Sequence, residues 1–201
     1  MTYGKAITSE DLDLLFNNAR TFYAWQDKQV SDGDIKKIYD LLKMAPTSAN
    51  CQPARFIFVT GKEAKEKLRP CLADTNVEKT LSAPVTAIVI TDKKFYDHLP
   101  KLFPHTDAKS WFTGPDKKAY ADETAFRNGT LQGAYLIMAA RALGFDCGPM
   151  SGFDPQKVKD TFFPDETEWE ANFLCNIGYG DDKNLFPRSP RFEFSEACQI
   201  I

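Results

Sequence analysis

YADETAFRNGTLQGAYLIMAARAL, residues 120–143, is the stretch that decides the fold. It predicts a long helix. In its second half it is apolar on most faces, so it belongs deep in the molecule rather than on its surface. Gly144 follows as a good residue to end it, because glycine adopts the left-handed turn that closes helices. Around this helix the chain supplies strands. Residues 55–60 (RFIFVT) and 84–91 (PVTAIVIT) are short runs rich in β-branched and aromatic residues. The second reads as a buried central strand. Residues 172–179 (NFLCNIGY) form a last strand. Further helices are expected at 9–19, with Leu12, Leu15 and Phe16 at helical spacing, and from the Ser31/Asp34 capping box through Leu42, with Pro46 stopping it. Two more fall at 62–73 and from Asp154–Pro155 onward. Helices come first, then strands separated by helices. The order predicts an α+β chain with helices packed on one sheet.

The bulk properties narrow the function. The chain has 201 residues, enough for one domain over 1–201. Its net charge is −3 with Lys and Arg scattered, so no global field draws it to nucleic acid or anionic lipid. No apolar run is long enough for a membrane span, and MTYGKAITSEDLDLLF lacks the pattern of a secretory signal. Cysteines stand at 51, 71, 147, 175 and 198 without CxxC spacing, which predicts free thiols and a cytoplasmic protein. With histidine only at 98 and 105, no histidine-based metal centre is expected. No GxSxG elbow, P-loop, GxGxxG or carboxylate pair is present. If the chain is an enzyme, an organic cofactor supplies the chemistry.

Several segments carry polar groups suited to such a ligand. Arg20-Thr21 combines a guanidinium fork with a hydroxyl, a pairing that suits phosphate. Residues 45–53 (APTSANCQP) form a donor-rich stretch stiffened by two prolines. Asn76 and Lys79 stand one helical turn apart and could offer an amide and a cation to a ring bearing carbonyls. Gly148-Pro149-Met150-Ser151-Gly152-Phe153 has a backbone able to approach a flat ligand. Asn128, Arg188 and Arg191 complete the candidates. The irregular aromatic excursion 93–119 is too long to be idle.

Taken together, these segments resemble the FMN-dependent nitroreductase family, in its order and spacing, from about residue 10 to the tail. Six phrases carry the likeness: Ala45–Asn50, Leu102–His105 with Ser110–Phe112, Phe126–Asn128, Gly148–Asp154 and Asn176–Asp181. Their wording is most similar to the malonic semialdehyde reductase branch, linked to pyrimidine breakdown. The resemblance implies a nitroreductase-like fold with a central, mainly antiparallel sheet flanked by helices, and an intertwined homodimer with an extended C-terminal tail. It implies FMN, with NADH or NADPH as hydride donor. Arg20 and Thr21 match its phosphate motif, joined by Arg188 or Arg191. Asn76 and Lys79 match the pair facing the flavin's pyrimidine edge. Pro149, Met150, Ser151 and Gly152 match the segment against the ring, with the Ser151 N–H toward flavin N5. Pro46, Thr47, Ser48, Asn50 and Asn128 match contacts made across the dimer. Ala19 and Tyr23 stand where relatives often have basic residues, and Ser151 where several have Glu. A less positive phosphate site is therefore expected. Phe103, His105, Trp111 and Phe112 are the expected walls of an acceptor pocket, with Arg127 or Lys109 as a cation for an acceptor carboxylate. The alternatives are a broad nitro- or quinone reductase, or a flavin-binding protein without turnover.

Overall fold

Four strands make one sheet: β1 (Ala54–Thr60), β2 (Val85–Asp92), β3 (Asp146–Met150) and β4 (Trp169–Gly178). The computed structural model from which this is taken describes residues 4–201, the side chain of Asn184 excepted. The order is β1-β2-β4-β3 and each pairing is antiparallel. The eight residues of β2 are all buried, as its unbroken apolar run requires. Val85, Ala87 and Val89 face one layer, and Ile88 and Ile90 the other, by the two-residue period of a strand.

The helices are α1 (Ser9–Leu12), α2 (Asp32–Leu42), α3 (Lys62–Leu68), α4 (Asp74–Leu81), α5 (Leu99–Leu102), α6 (Lys118–Ala142), α7 (Pro155–Phe162) and α8 (Phe194–Ala197). On one face of the sheet α2 and α6 bury Ile38, Leu42, Leu136 and Ala140 against Val85, Ala87 and Val89. On the other, α3 and α7 bury Leu68 and Val158 against Ile88, Ile90 and Leu174. Burying one such Leu, Ile or Val contributes about 1.5–3 kcal/mol. Helix α6 runs very close to the sheet, because a Cβ at Gly133 would stand 2.4 Å from the Phe173 ring. No helix among the described residues is long and apolar enough to cross a membrane.

The predicted long helix, the central strand and the Ser31/Asp34 capping box are all present. The 62–73 segment ends its α-helix at Leu68 and tightens into a 3₁₀ turn at Arg69–Cys71, because Pro70 lacks the N–H that would continue it. The 9–19 segment is one α-turn followed by a π-turn at Asp13–Asn17. The last strand begins three residues earlier than its apolar run, at Trp169. Helix α4 and strand β3 are additional to the predicted elements. β3 reads poorly because it contains Gly148-Pro149. It tolerates them as an edge strand, where a missing N–H costs no ladder bond.

One polar network lies inside the core. Lys65 is 4 % exposed, and its ammonium donates to the Thr80 carbonyl at 2.9 Å and to Thr86 Oγ1. Thr86 Oγ1 bonds Asn176 Oδ1 at 2.6 Å, and Asn176 Nδ2 donates to the Lys79 carbonyl at 3.1 Å. No carboxylate pairs with Lys65 among the described residues, and burial pushes its pKa down to about 7.

Candidate functional site

The Arg20-Thr21 motif is fastened along the open edge of β3. Thr21 bridges Cys147, the Phe22 N–H donates to the Cys147 carbonyl at 3.1 Å, and Trp25 bridges Gly180. The fit depends on Gly148, where a Cβ would lie 2.7 Å from the Phe22 carbonyl oxygen. Trp25 Nε1 donates to the Lys79 carbonyl at 2.9 Å, so that carbonyl accepts from two side chains and fixes the turn bearing Lys79.

From this edge Arg20 enters a cleft of about 380 Å³. Its guanidinium donates to the Phe186 carbonyl, while Arg188 donates back to the carbonyls of Asn17 at 2.6 Å and Ala19 at 3.2 Å. The N-terminal segment and the tail are thus clasped reciprocally. Arg191 and Arg141 also line the cleft. Arg55, Arg69 and Arg127 each pair with a carboxylate. The four cleft arginines pair with none among the described residues, holding only backbone carbonyls. Guanidinium groups gathered without counter-charge suit a phosphate dianion.

Tyr23, Phe186 and Pro187 separate this cleft from a second one of about 720 Å³ that Lys79 lines. Tyr23 and Phe186 meet edge to face at 5.9 Å, and the Lys79 ammonium lies 4.9 Å from the Tyr23 ring centre. Partial burial holds Lys79 below the ordinary lysine pKa. Asn76 is buried, and its Nδ2 donates to the Gly152 carbonyl at 2.7 Å. The Ala73 N–H donates to the same carbonyl at 3.0 Å. Asn76 therefore ties the Ser151-Gly152 turn to α4. Pro149, Met150 and Ser151 line a shallow groove with Phe126 and Thr130.

The remaining candidates form a separate cluster. The Ser48 N–H donates to Asn128 Oδ1 at 2.9 Å, and the Gln52 N–H to Thr47 Oγ1 at 3.2 Å. Asn50 Nδ2 donates to the Leu102 carbonyl at 2.8 Å. Ala49, Asn50 and Gln52 all have positive φ, of 49°, 49° and 39°. Side-chain residues in that region cost about 1–3 kcal/mol each and gather where a loop must present its groups in one way. Pro53 accepts from the Asp92 N–H, so this loop sits at the far end of β2 from Gly178 and the Arg20 edge. Asn128 and Arg141 mark the separation on α6: thirteen residues, about 20 Å at 1.5 Å per residue.

On the excursion, Phe103 packs edge to face with His105 at 5.5 Å and with Trp111 at 6.2 Å, and both His105 and Trp111 are exposed. Phe112 lies beneath them, buried against Phe95 at 4.9 Å and stacked on Tyr120. Lys109 pairs with Asp97 at 2.7 Å and Arg127 with Glu123, so both candidate cations already hold carboxylates. Sequence reasoning passed over Arg141, the Tyr23–Phe186 pair and the Asn128–Ser48 bond. A basic residue closing an otherwise apolar helix was the one available signal for Arg141.

An antiparallel sheet with a buried helix across it, edged by an anion cleft, defines an α+β protein of nitroreductase-like fold. Residues 17–179 match the Nitroreductase family, and the chain belongs to it. It is 57 % identical over 195 residues to a Polynucleobacter asymbioticus protein named, provisionally, NADH dehydrogenase/NAD(P)H nitroreductase. That match covers 97 % of this chain and 98 % of the relative. A Bacillus subtilis structure described, provisionally, as a nitroreductase superposes with a TM-score of 0.87 at 21 % identity, covering 96 % of this chain and all of the other. An Exiguobacterium sibiricum structure described in the same way, solved in complex with FMN, gives 0.83 at 18 % identity, covering 98 % and 99 % of the two chains.

Proposed function

We propose that this chain, as one domain over residues 1–201, is an NAD(P)H-dependent FMN oxidoreductase that works as a cytoplasmic homodimer. The observation that carries the reading is the partition of the arginines. Those outside the cleft are neutralised by carboxylates, and those facing it have none among the described residues. That donor set fits the phosphate of FMN. Arg20, Thr21, Arg188 and Arg191 hold the phosphate. Asn76 fixes the Ser151-Gly152 turn against the ring, and Ser151 offers its backbone N–H there. Lys79 presents a cation to the pyrimidine edge, where negative charge gathers. Bound there, FMN would supply the hydride chemistry between nicotinamide and acceptor, and the side chains around it would bind and orient it rather than act as an acid–base pair.

Thr47, Ser48, Asn50 and Asn128 gather around the Ser48–Asn128 bond and take no part in the arginine cleft of their own chain. In this reading they serve the cofactor of a second copy, with Pro46 beside them. Phe186, Phe192, Phe194, Ile200 and Ile201 are strongly exposed in the single chain, an apolar tail suited to covering a partner. Phe103, His105 and Trp111 stand over the acceptor's entry, supported from below by Phe112. The acceptor we assign is malonic semialdehyde, reduced to 3-hydroxypropionate, on the wording of the six phrases quoted above. Broad nitro- or quinone reduction is the second reading, favoured by the relative's name.

Anaerobic mixing of the FMN-loaded protein with NADH or NADPH is expected to bleach the flavin absorbance rapidly. Persistent colour would leave a flavin binder without reductase turnover. The specificity constant for malonic semialdehyde is expected to exceed that for a nitroarene. An equal or higher constant for the nitroarene overturns the aldehyde assignment and supports the second reading.

A further inference from the structure

We infer that Arg141 is a binding residue for the cofactor's phosphate, a fourth cation at that subsite supplied by the core helix α6. The inference rests on the FMN reading above. Arg141 lines the same cleft as Arg20, Thr21, Arg188 and Arg191. Its only side-chain hydrogen bond among the described residues is a long one, 3.3 Å from Nη1 to the Leu15 carbonyl. A guanidinium has five N–H donors, so most of its fork remains available.

Its mounting differs from that of the other three. Arg20 sits in the N-terminal segment, and Arg188 and Arg191 in the exposed tail. Arg141 stands in the last turn of a helix of 25 residues, where the negative end of the helix dipole favours a cation. It is partly buried, so its charge is less screened than that of the exposed tail arginines. Ala19, where a larger residue would project, lines the cleft beside it. The expected deficit of charge around Ala19 is thereby offset from another part of the chain. Asp146 lies in electrostatic reach of Arg141 but forms no ion pair with it. Asp146 accepts from the Gly180 N–H at 2.8 Å, and burial raises its pKa. The cluster therefore stays positive. The ligand it fits is a phosphate monoester, held between an arginine on the core helix and three from the N-terminal segment and the tail.

The test compares FMN with riboflavin, which has the same ring and no phosphate. Both are titrated by fluorescence quenching into wild-type protein and into Arg141→Gln and Arg141→Lys variants, with thermal midpoints recorded. Gln retains a donor for the Leu15 carbonyl, so the local fold is kept. We expect Arg141→Gln to weaken FMN by roughly tenfold to a hundredfold with riboflavin unchanged, and Arg141→Lys to fall between. Unchanged FMN affinity, or equal weakening of both flavins, overturns the assignment of Arg141. Wild-type protein that does not prefer FMN over riboflavin overturns the underlying reading instead, whatever the variants do.

Discussion

Arg20→Ala combined with Arg188→Ala is expected to lower FMN affinity by roughly 10²–10⁴-fold while riboflavin affinity stays unchanged. Each charge-assisted bond to phosphate contributes about 1.5–3 kcal/mol, and two are removed. The two arginines also clasp the N-terminal segment to the tail through Phe186, Asn17 and Ala19 carbonyls. Those bonds are exposed, so their loss costs little global stability. Flavin fluorescence titration reads the effect, and circular dichroism checks the fold. Parallel weakening of FMN and riboflavin would assign the arginines to the architecture of the cleft rather than to the phosphate. Gly148→Ala should reach a similar FMN defect without touching an arginine. Its Cβ would collide with the Phe22 carbonyl and push Arg20 and Thr21 off the β3 edge.

The second large effect is on stability and follows from Lys65. Burial lowers its pKa to about 7 in the folded chain, against about 10.4 when unfolded. Below pH 7 both states carry the proton, and the full cost of the buried ammonium is present. Between about pH 7 and 10.4 the folded chain releases a proton that the unfolded chain keeps. The contribution to stability therefore rises with pH, by about 1.4 kcal/mol per unit, and levels off above that window. Lys65→Met removes the titration. From pH 7 to pH 9 the wild-type chain should gain about 2–3 kcal/mol relative to Lys65→Met in urea unfolding at fixed protein concentration. A constant difference between the two proteins would mean that Lys65 keeps its proton inside the core. In that case Thr86, Asn176 and the Thr80 carbonyl would solvate an ammonium fully.

Much of this architecture can be read before any coordinates are consulted, because long apolar periodicity leaves few alternatives. Helix α6 and strand β2 are fixed by their own composition. β3 is not, since Gly148-Pro149 looks like a turn until β4 pairs with it and leaves it at the edge of the sheet. Helix α4 is hidden for a different reason. Its eight residues are mostly polar, and it is held by Asn76 on Gly152 and by packing rather than by a stripe of its own. The site divides in the same way. Arg20, Lys79 and Ser48 belong to short phrases with recognisable wording. Arg141 belongs to none, and only the tertiary fold brings α6 to the cleft. Phe112 reads as a pocket wall from its aromatic neighbours, yet its ring packs under the excursion, against Phe95. Burial of a single ring in an irregular segment leaves no periodic trace.

In the proposed dimer the arginine cleft and the Ser48–Asn128 cluster of one chain serve two different cofactors. Mixed dimers test this directly, with one subunit carrying Arg20→Ala/Arg188→Ala and the other Ser48→Trp. Ser48 is exposed, so the tryptophan should block the loop without unfolding it. If each flavin is held between copies, the mixed dimer keeps one intact site, formed by the second subunit's arginines and the first subunit's loop. It should bind one FMN per dimer, while each parent homodimer binds neither tightly. A mixed dimer without tightly bound FMN, or a Ser48→Trp homodimer fully loaded with it, would contradict the shared site.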